Sequence, residues 1–140
     1  MSESTIQHQL HIMKDKLDAV AAFHTAFKIG YAKLPIASLG AQKNQLRFSL
    51  MEEENKEYLE AAQNNDLVEV ADALGDMLYI LCGTIIEHGM QDKIEAVFNE
   101  IQKSNMSKLG EDGAPIYRED GKVLKGPNYF KPNLKAILEE

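Results

Sequence analysis

Residues 67–86 read LVEVADALGDMLYILCGTII, and the only charges in that stretch are Glu69, Asp72 and Asp76. At 100° per residue the three acids fall within about 60° of one another, a single narrow stripe on an otherwise apolar helix. An ionised carboxylate in a low-dielectric site is costly unless a cation or hydrogen bonds compensate it. Three acids cannot compensate each other, and the helix offers no basic partner one turn away. The stripe therefore makes this helix a candidate wall of a metal site.

The segment just before it has the same character. From about Gln42 to Gln63 the chain carries LMEEENKEYLEAA. With Leu50 as reference, Glu53, Glu54 and Glu57 all lie within about 60° of it, on the face shared with Leu46 and Ala61. The acids interrupt the apolar stripe, while Glu52 points the opposite way and Glu60 lies at its edge. Taken alone, these glutamates also suit a solvated run paired with Lys56. Asn64-Asn65 ends this helix, and Asp66 is placed to cap the next, which runs to about His88 with Gly89 as its stop signal. So short a turn requires the two helices to pack antiparallel, with their acidic faces meeting. Hard oxygen ligands without histidine or cysteine nearby select Mg²⁺, with Mn²⁺ as the alternative. The Glu-x-x-His pairs of a di-iron bundle are absent from the sequence.

Two further helices complete the expectation, one from about Thr5 to Phe27, capped by Ser4 or Thr5, and one from about Gln91 to Lys108. His8 and His11, one turn apart on the first, read as surface residues. After Gly110 the composition shifts to glycine and proline, and Ile116-Tyr117-Arg118 and Lys122-Val123-Leu124 flank Glu119-Asp120-Gly121 as a small β-hairpin. Lys103, Lys108, Arg118, Lys122, Lys125, Lys131 and Lys135 make this tail basic beside an acidic body. The predicted fold is all-α: a four-helix body over about 5–108 and a tail over about 109–135, in one domain spanning 1–140.

The net charge of −7 argues against nucleic acid as a partner. Three acids on one face of the apolar helix argue against a membrane span. Cys82, the single cysteine, excludes an intrachain disulfide and reads as a buried thiol. The N-terminus lacks the pattern of a signal peptide, so the expected location is cytoplasmic.

Glu54-Asn-Lys-Glu57, preceded by Glu53 and followed by Glu69-Val-Ala-Asp72, resembles the E-x-x-E … E-x-x-D signature of the all-α nucleoside triphosphate pyrophosphohydrolases. That superfamily includes MazG, the dimeric dUTPases and phosphoribosyl-ATP pyrophosphohydrolase. Phe23-His24, Leu46-Arg47, ADALGDMLYILCG and the tail SNMSKLGEDGAPIYREDGKVLKGPNYFKP extend the likeness to the MazG-like branch over roughly 20–132. Many MazG proteins have Glu-Leu-Gly-Asp as the second motif, which would set Ala73 where a ligand belongs. Aligning Glu69-Val-Ala-Asp72 keeps both acids, as in the phosphoribosyl-ATP branch, and leaves Asp76 as a further or supporting ligand.

The resemblance implies a MazG-like bundle completed by oligomerisation, as a homodimer or dimer of dimers, with Leu78, Ile80, Leu81 and Ile85 at or near the interface. It implies Mg²⁺-dependent hydrolysis between the α- and β-phosphates of a nucleoside triphosphate, in house-cleaning or as a dUTPase. Glu54, Glu57, Glu69, Asp72 and Asp76 would hold metal, and Glu53 or Glu54 would take a proton from water. Asn105, Lys108, Lys125, His24 and Tyr129 would contact substrate. Two alternatives stand beside this: a noncatalytic, divalent-ion-stabilised helical interaction module, and, ranked lower because of the tail, a phosphoribosyl-ATP pyrophosphohydrolase.

Overall fold

Asp66 opens the acid-bearing helix as its sequence position predicts. Its carboxylate accepts the Glu69 N–H at 3.1 Å, filling one of the donors a helix start leaves open. The computed structural model describes residues 12–140 and contains helices α1 (Ile12–Ala26), α2 (Ala41–Gln63), α3 (Leu67–Glu87), α4 (Ile94–Met106) and α5 (Leu134–Leu138). Among the described residues no strand forms. The predicted start of the first helix, its cap at Ser4 or Thr5, and His8 and His11 lie outside the described residues.

The α2–α3 turn is closed by backbone bonds from Asn64 to Glu60 O (3.0 Å), Asn65 to Ala62 O (3.1 Å) and Asp66 to Ala61 O (3.0 Å). Asn65 takes the left-handed conformation, φ 53°, which asparagine tolerates better than most residues. At the far end of α3, Gly89 N–H bonds Ile86 O and Met90 N–H bonds Ile85 O, a Schellman stop. Gly89 has φ 69°, and a Cβ there would lie 2.0 Å from Leu34 O, so glycine is required twice over.

The chain forms two compact units, Met1–Gln91 and Asp92–Glu140. In the first, α3 packs on both α2 and α1. Its apolar core is small: Leu17 and Val20 from α1, Ala61 from α2, and Ala73, Cys82 and Ile86 from α3. Phe23 stacks near Phe27 and meets Tyr79 edge-on, extending the α1–α3 contact. The 28–40 loop is stitched to the end of α3 by Ala32 N–H to Ile86 O (3.2 Å) and Ile36 N–H to His88 O (2.9 Å). The side chain of Gln91 adds a bond to Ala32 O (2.8 Å).

In the second unit α4 is shorter at both ends than its expected span. Residues 91–93 form a turn before it, and beyond it the Ser107 hydroxyl folds back to donate to Ser104 O. The expected hairpin reduces to one antiparallel bridge between Tyr117 and Val123, with Arg118 bonding Lys122 O across the turn. Glycine and proline on either side leave too few consecutive residues for a ladder. A short helix that the pattern did not suggest, α5, is capped by Asn133, whose side chain accepts the Ala136 N–H.

Candidate active site

The antiparallel hairpin brings the two acidic faces together. Glu57 and Glu60 of α2, Asp66, and Glu69 and Asp72 of α3 line an open cleft of about 420 Å³, together with Ala61 and Asn64. One turn deeper, Glu54 shares a side-chain hydrogen bond with Glu57 and feels the charges of Glu57, Asp76 and Glu53. Burial, then that bond and those like charges, push its carboxyl up to about 7 from the usual 4.5. Glu54 Oε2 is buried without a hydrogen-bond partner. Lys56, the cation that could have neutralised the run, lies 3.5 Å from Glu52 on the solvated side instead.

Among the described residues no three acid, histidine or cysteine side chains form a ready-made cage for a cation. The donor set nevertheless fits a hard divalent ion. It is all oxygen, it carries mutual repulsion that a cation relieves wherever the carboxylates are ionised, and it includes one buried carboxylate oxygen lacking a partner.

His24 is buried, with Nδ1 3.1 Å from Gly30 O and Nε2 turned toward Gly83. Asn105, Lys108, Lys125 and Tyr129 belong to the second unit, where the tail is anchored to the end of α4. Ser104 donates to Phe130 O (2.9 Å), Phe130 N–H bonds the Ser107 hydroxyl (3.1 Å), and Gly126 N–H bonds Lys108 O (2.8 Å). These bonds set Lys108 beside Lys125, whose ammonium lies 4.8 Å from the centre of the Tyr129 ring. The SNMSK stretch thus holds the tail through its two serines.

Sequence reasoning passed over Asn64 and Asp66 as cleft residues, and left Glu60 at the edge. It also gave no structural role to Arg47, which is buried against Glu87 at 2.9 Å. The available signal was an arginine on the apolar side of α2.

A family model for phosphoribosyl-ATP pyrophosphohydrolase matches residues 20–105, more than half of the chain and all of the acids described above. The chain belongs to the phosphoribosyl-ATP pyrophosphohydrolase family. With that family it joins the MazG-like all-α nucleoside triphosphate pyrophosphohydrolases, as the carboxylate motifs imply. Seventeen solved chains match. One, from Exiguobacterium sp. 255-15, is a protein proposed to be an NTP pyrophosphohydrolase. It is 24% identical, with a TM-score of 0.50, over 91% of this chain and 94% of its own. At that identity the likeness is one of fold. No curated protein is similar enough to count as a match.

Proposed function

We propose that this family member hydrolyses a nucleoside triphosphate between the α- and β-phosphates, releasing the monophosphate and pyrophosphate. The observation that supports this best is Glu54: a carboxyl among Glu53, Glu57 and Asp76, with a buried oxygen that has no partner. Glu54, Glu57, Glu69, Asp72 and Asp76 are the residues we assign to Mg²⁺, with Mn²⁺ as a substitute. When bound, the cation supplies positive charge against the phosphate oxygens and a more acidic water. The Glu53–Glu54 pair provides the proton acceptor for the attacking water. Asn105, Lys108, Lys125 and Tyr129 are assigned to phosphate and sugar contacts, and His24 to a contact with base or phosphate.

The proposed assembly is a homodimer or dimer of dimers. Leu78 and Leu81 are 48% and 44% exposed, as expected of side chains awaiting a second copy. Covering the exposed half of each would contribute roughly 1 kcal/mol, about half the value for a fully exposed leucine.

The test is incubation with Mg²⁺ and a panel of nucleoside triphosphates, with phosphoribosyl-ATP included, reading out pyrophosphate and monophosphate. Phosphoribosyl-ATP earns its place because the matched family carries its name. The expected result is stoichiometric pyrophosphate from at least one of them. Glu57→Gln and Asp72→Asn should each lower turnover by at least a hundredfold with unchanged far-UV circular dichroism. Release of orthophosphate alone would place cleavage at a terminal phosphate and overturn the proposed bond; no turnover on any compound would leave the noncatalytic helical module as the better description.

A further inference from the structure

Away from the acids, α2 and α3 are joined by a second polar contact that the hydrolysis does not use. Arg47 lies three residues before Leu50 on α2 and is 9% exposed; Glu87 near the end of α3 is 3% exposed. Arg47 Nη1 stands 2.9 Å from Glu87 Oε2, an ion-pair distance without the alignment of a hydrogen bond. Its aligned bonds go elsewhere on the same helix: Nε donates to Thr84 Oγ1 (3.0 Å) and Nη2 to the carbonyl of Ile80 (2.8 Å). Thr84 Oγ1 donates to that same carbonyl at 2.8 Å. Lys43 reaches the other oxygen of Glu87 at 3.4 Å. Gly83 makes room for the guanidinium, since a Cβ there would lie 2.7 Å from Arg47 Nη2 and 2.9 Å from His24 Nε2.

A buried ion pair is poor evidence for added stability, because desolvation offsets most of the attraction. What it does supply is position. Apolar ridges of two helices can mate again after a slide of one turn, about 5.4 Å, at modest cost. An arginine bonded to one particular carbonyl and one particular hydroxyl cannot. The register it selects is the one the acids need. Seven residues along α2 from Arg47 stands Glu54; eight residues back along α3 from Thr84 stands Asp76, whose charge Glu54 feels. A slip of one turn, about 5.4 Å, would take Asp76 from Glu54 and set Asp72 or Ile80 there, so the carboxylates of the two helices would no longer meet as the same set.

We infer that Arg47 is a positioning residue: through Ile80 O, Thr84 and Glu87 it fixes the register in which the carboxylates of α2 and α3 face each other, and so sets the affinity for the divalent cation without touching cation or substrate. This rests on the proposed assignment of those carboxylates to a metal. Arg47→Lys keeps the charge but cannot bond Thr84 and Ile80 in the same geometry. Thr84→Val keeps the volume and removes the hydroxyl that receives Nε.

The experiment is Mn²⁺ titration of the full chain, free of nucleotide, followed by electron paramagnetic resonance, with circular dichroism melts alongside. The expected result is at least tenfold weaker Mn²⁺ binding in Arg47→Lys and about threefold weaker binding in Thr84→Val, in chains that remain helical. Folded variants that bind Mn²⁺ within twofold of the parent would overturn the inference and leave Arg47 a purely structural group. If Arg47→Lys does not fold, Thr84→Val decides by the same criterion. A parent chain that binds no Mn²⁺ would instead overturn the metal assignment itself, and this inference with it.

Discussion

Glu54 holds its proton more tightly in the folded chain than an unfolded glutamate does. Between about pH 4.5 and pH 7 the folded state therefore carries the extra proton. Stability of the metal-free protein must fall as pH rises through that window, and the loss is complete above it. A cation held by the same carboxylates offsets the loss only where they are ionised. Thermal melts in EDTA are expected to show a falling melting temperature between pH 5 and pH 8, and Mg²⁺ should raise it more at pH 8 than at pH 5.5. Glu54→Gln should flatten the metal-free profile. A parent profile that is flat across this range would remove Glu54 from the centre of the electrostatics. The same residue illustrates what the sequence could and could not reveal. Its place on the apolar face was readable from spacing alone, because a helix converts spacing directly into direction. Its unpartnered oxygen was not, since that depends on which side chains of α3 arrive opposite.

At the level of single helices, the α2–α3 junction depends on local chemistry that the chain states openly. Asp66 caps α3, and Asp66→Ala should cost about 1 kcal/mol of stability while Asp66→Asn should cost far less, because asparagine caps nearly as well. Denaturant midpoints of the two variants make the comparison, and equal losses would show that the negative charge at the start of α3, not the cap hydrogen bond, is what matters. Caps and stops such as Asp66 and Gly89 were legible because each is settled within four residues of itself. The start of α4, the existence of α5 and the shrinking of the hairpin to a Tyr117–Val123 bridge were not. The seating of α5 beside α4 turns on contacts such as Asn133 N–H to Glu100 and Ser104 to Phe130, made by residues more than twenty positions apart, while the bridge is cut short by the glycines and prolines around it. The pairing of Arg47 with Glu87 lay hidden for the same reason: forty residues separate them, and Leu46-Arg47 entered the reading only as part of a family likeness.

At the scale of the molecule, the apolar side chains left outside set the expectation. Leu67 and Val68 at the start of α3 are 80% and 75% exposed, and Leu78 and Leu81 follow along the helix. Sedimentation at micromolar concentration is expected to find a dimer or tetramer, and Leu81→Glu should shift it toward monomer while weakening turnover. A parent chain that sediments as a monomer would refute the proposed assembly. Cys82 lies on this same helix, 2% exposed, with burial pushing its thiol above the ordinary value against a smaller opposing pull from Lys16. Cys82 is the chain's single cysteine and lines a cavity of about 200 Å³ with Lys16 and Val20 of α1 and Leu78 of α3, so its alkylation rate is a stopwatch for the parting of these two helices. Modification by a thiol reagent should be slow in the native protein, faster in variants that loosen the hairpin and slower again with Mg²⁺ present. Those rates would report, averaged over the population, how often the wall behind the carboxylates opens.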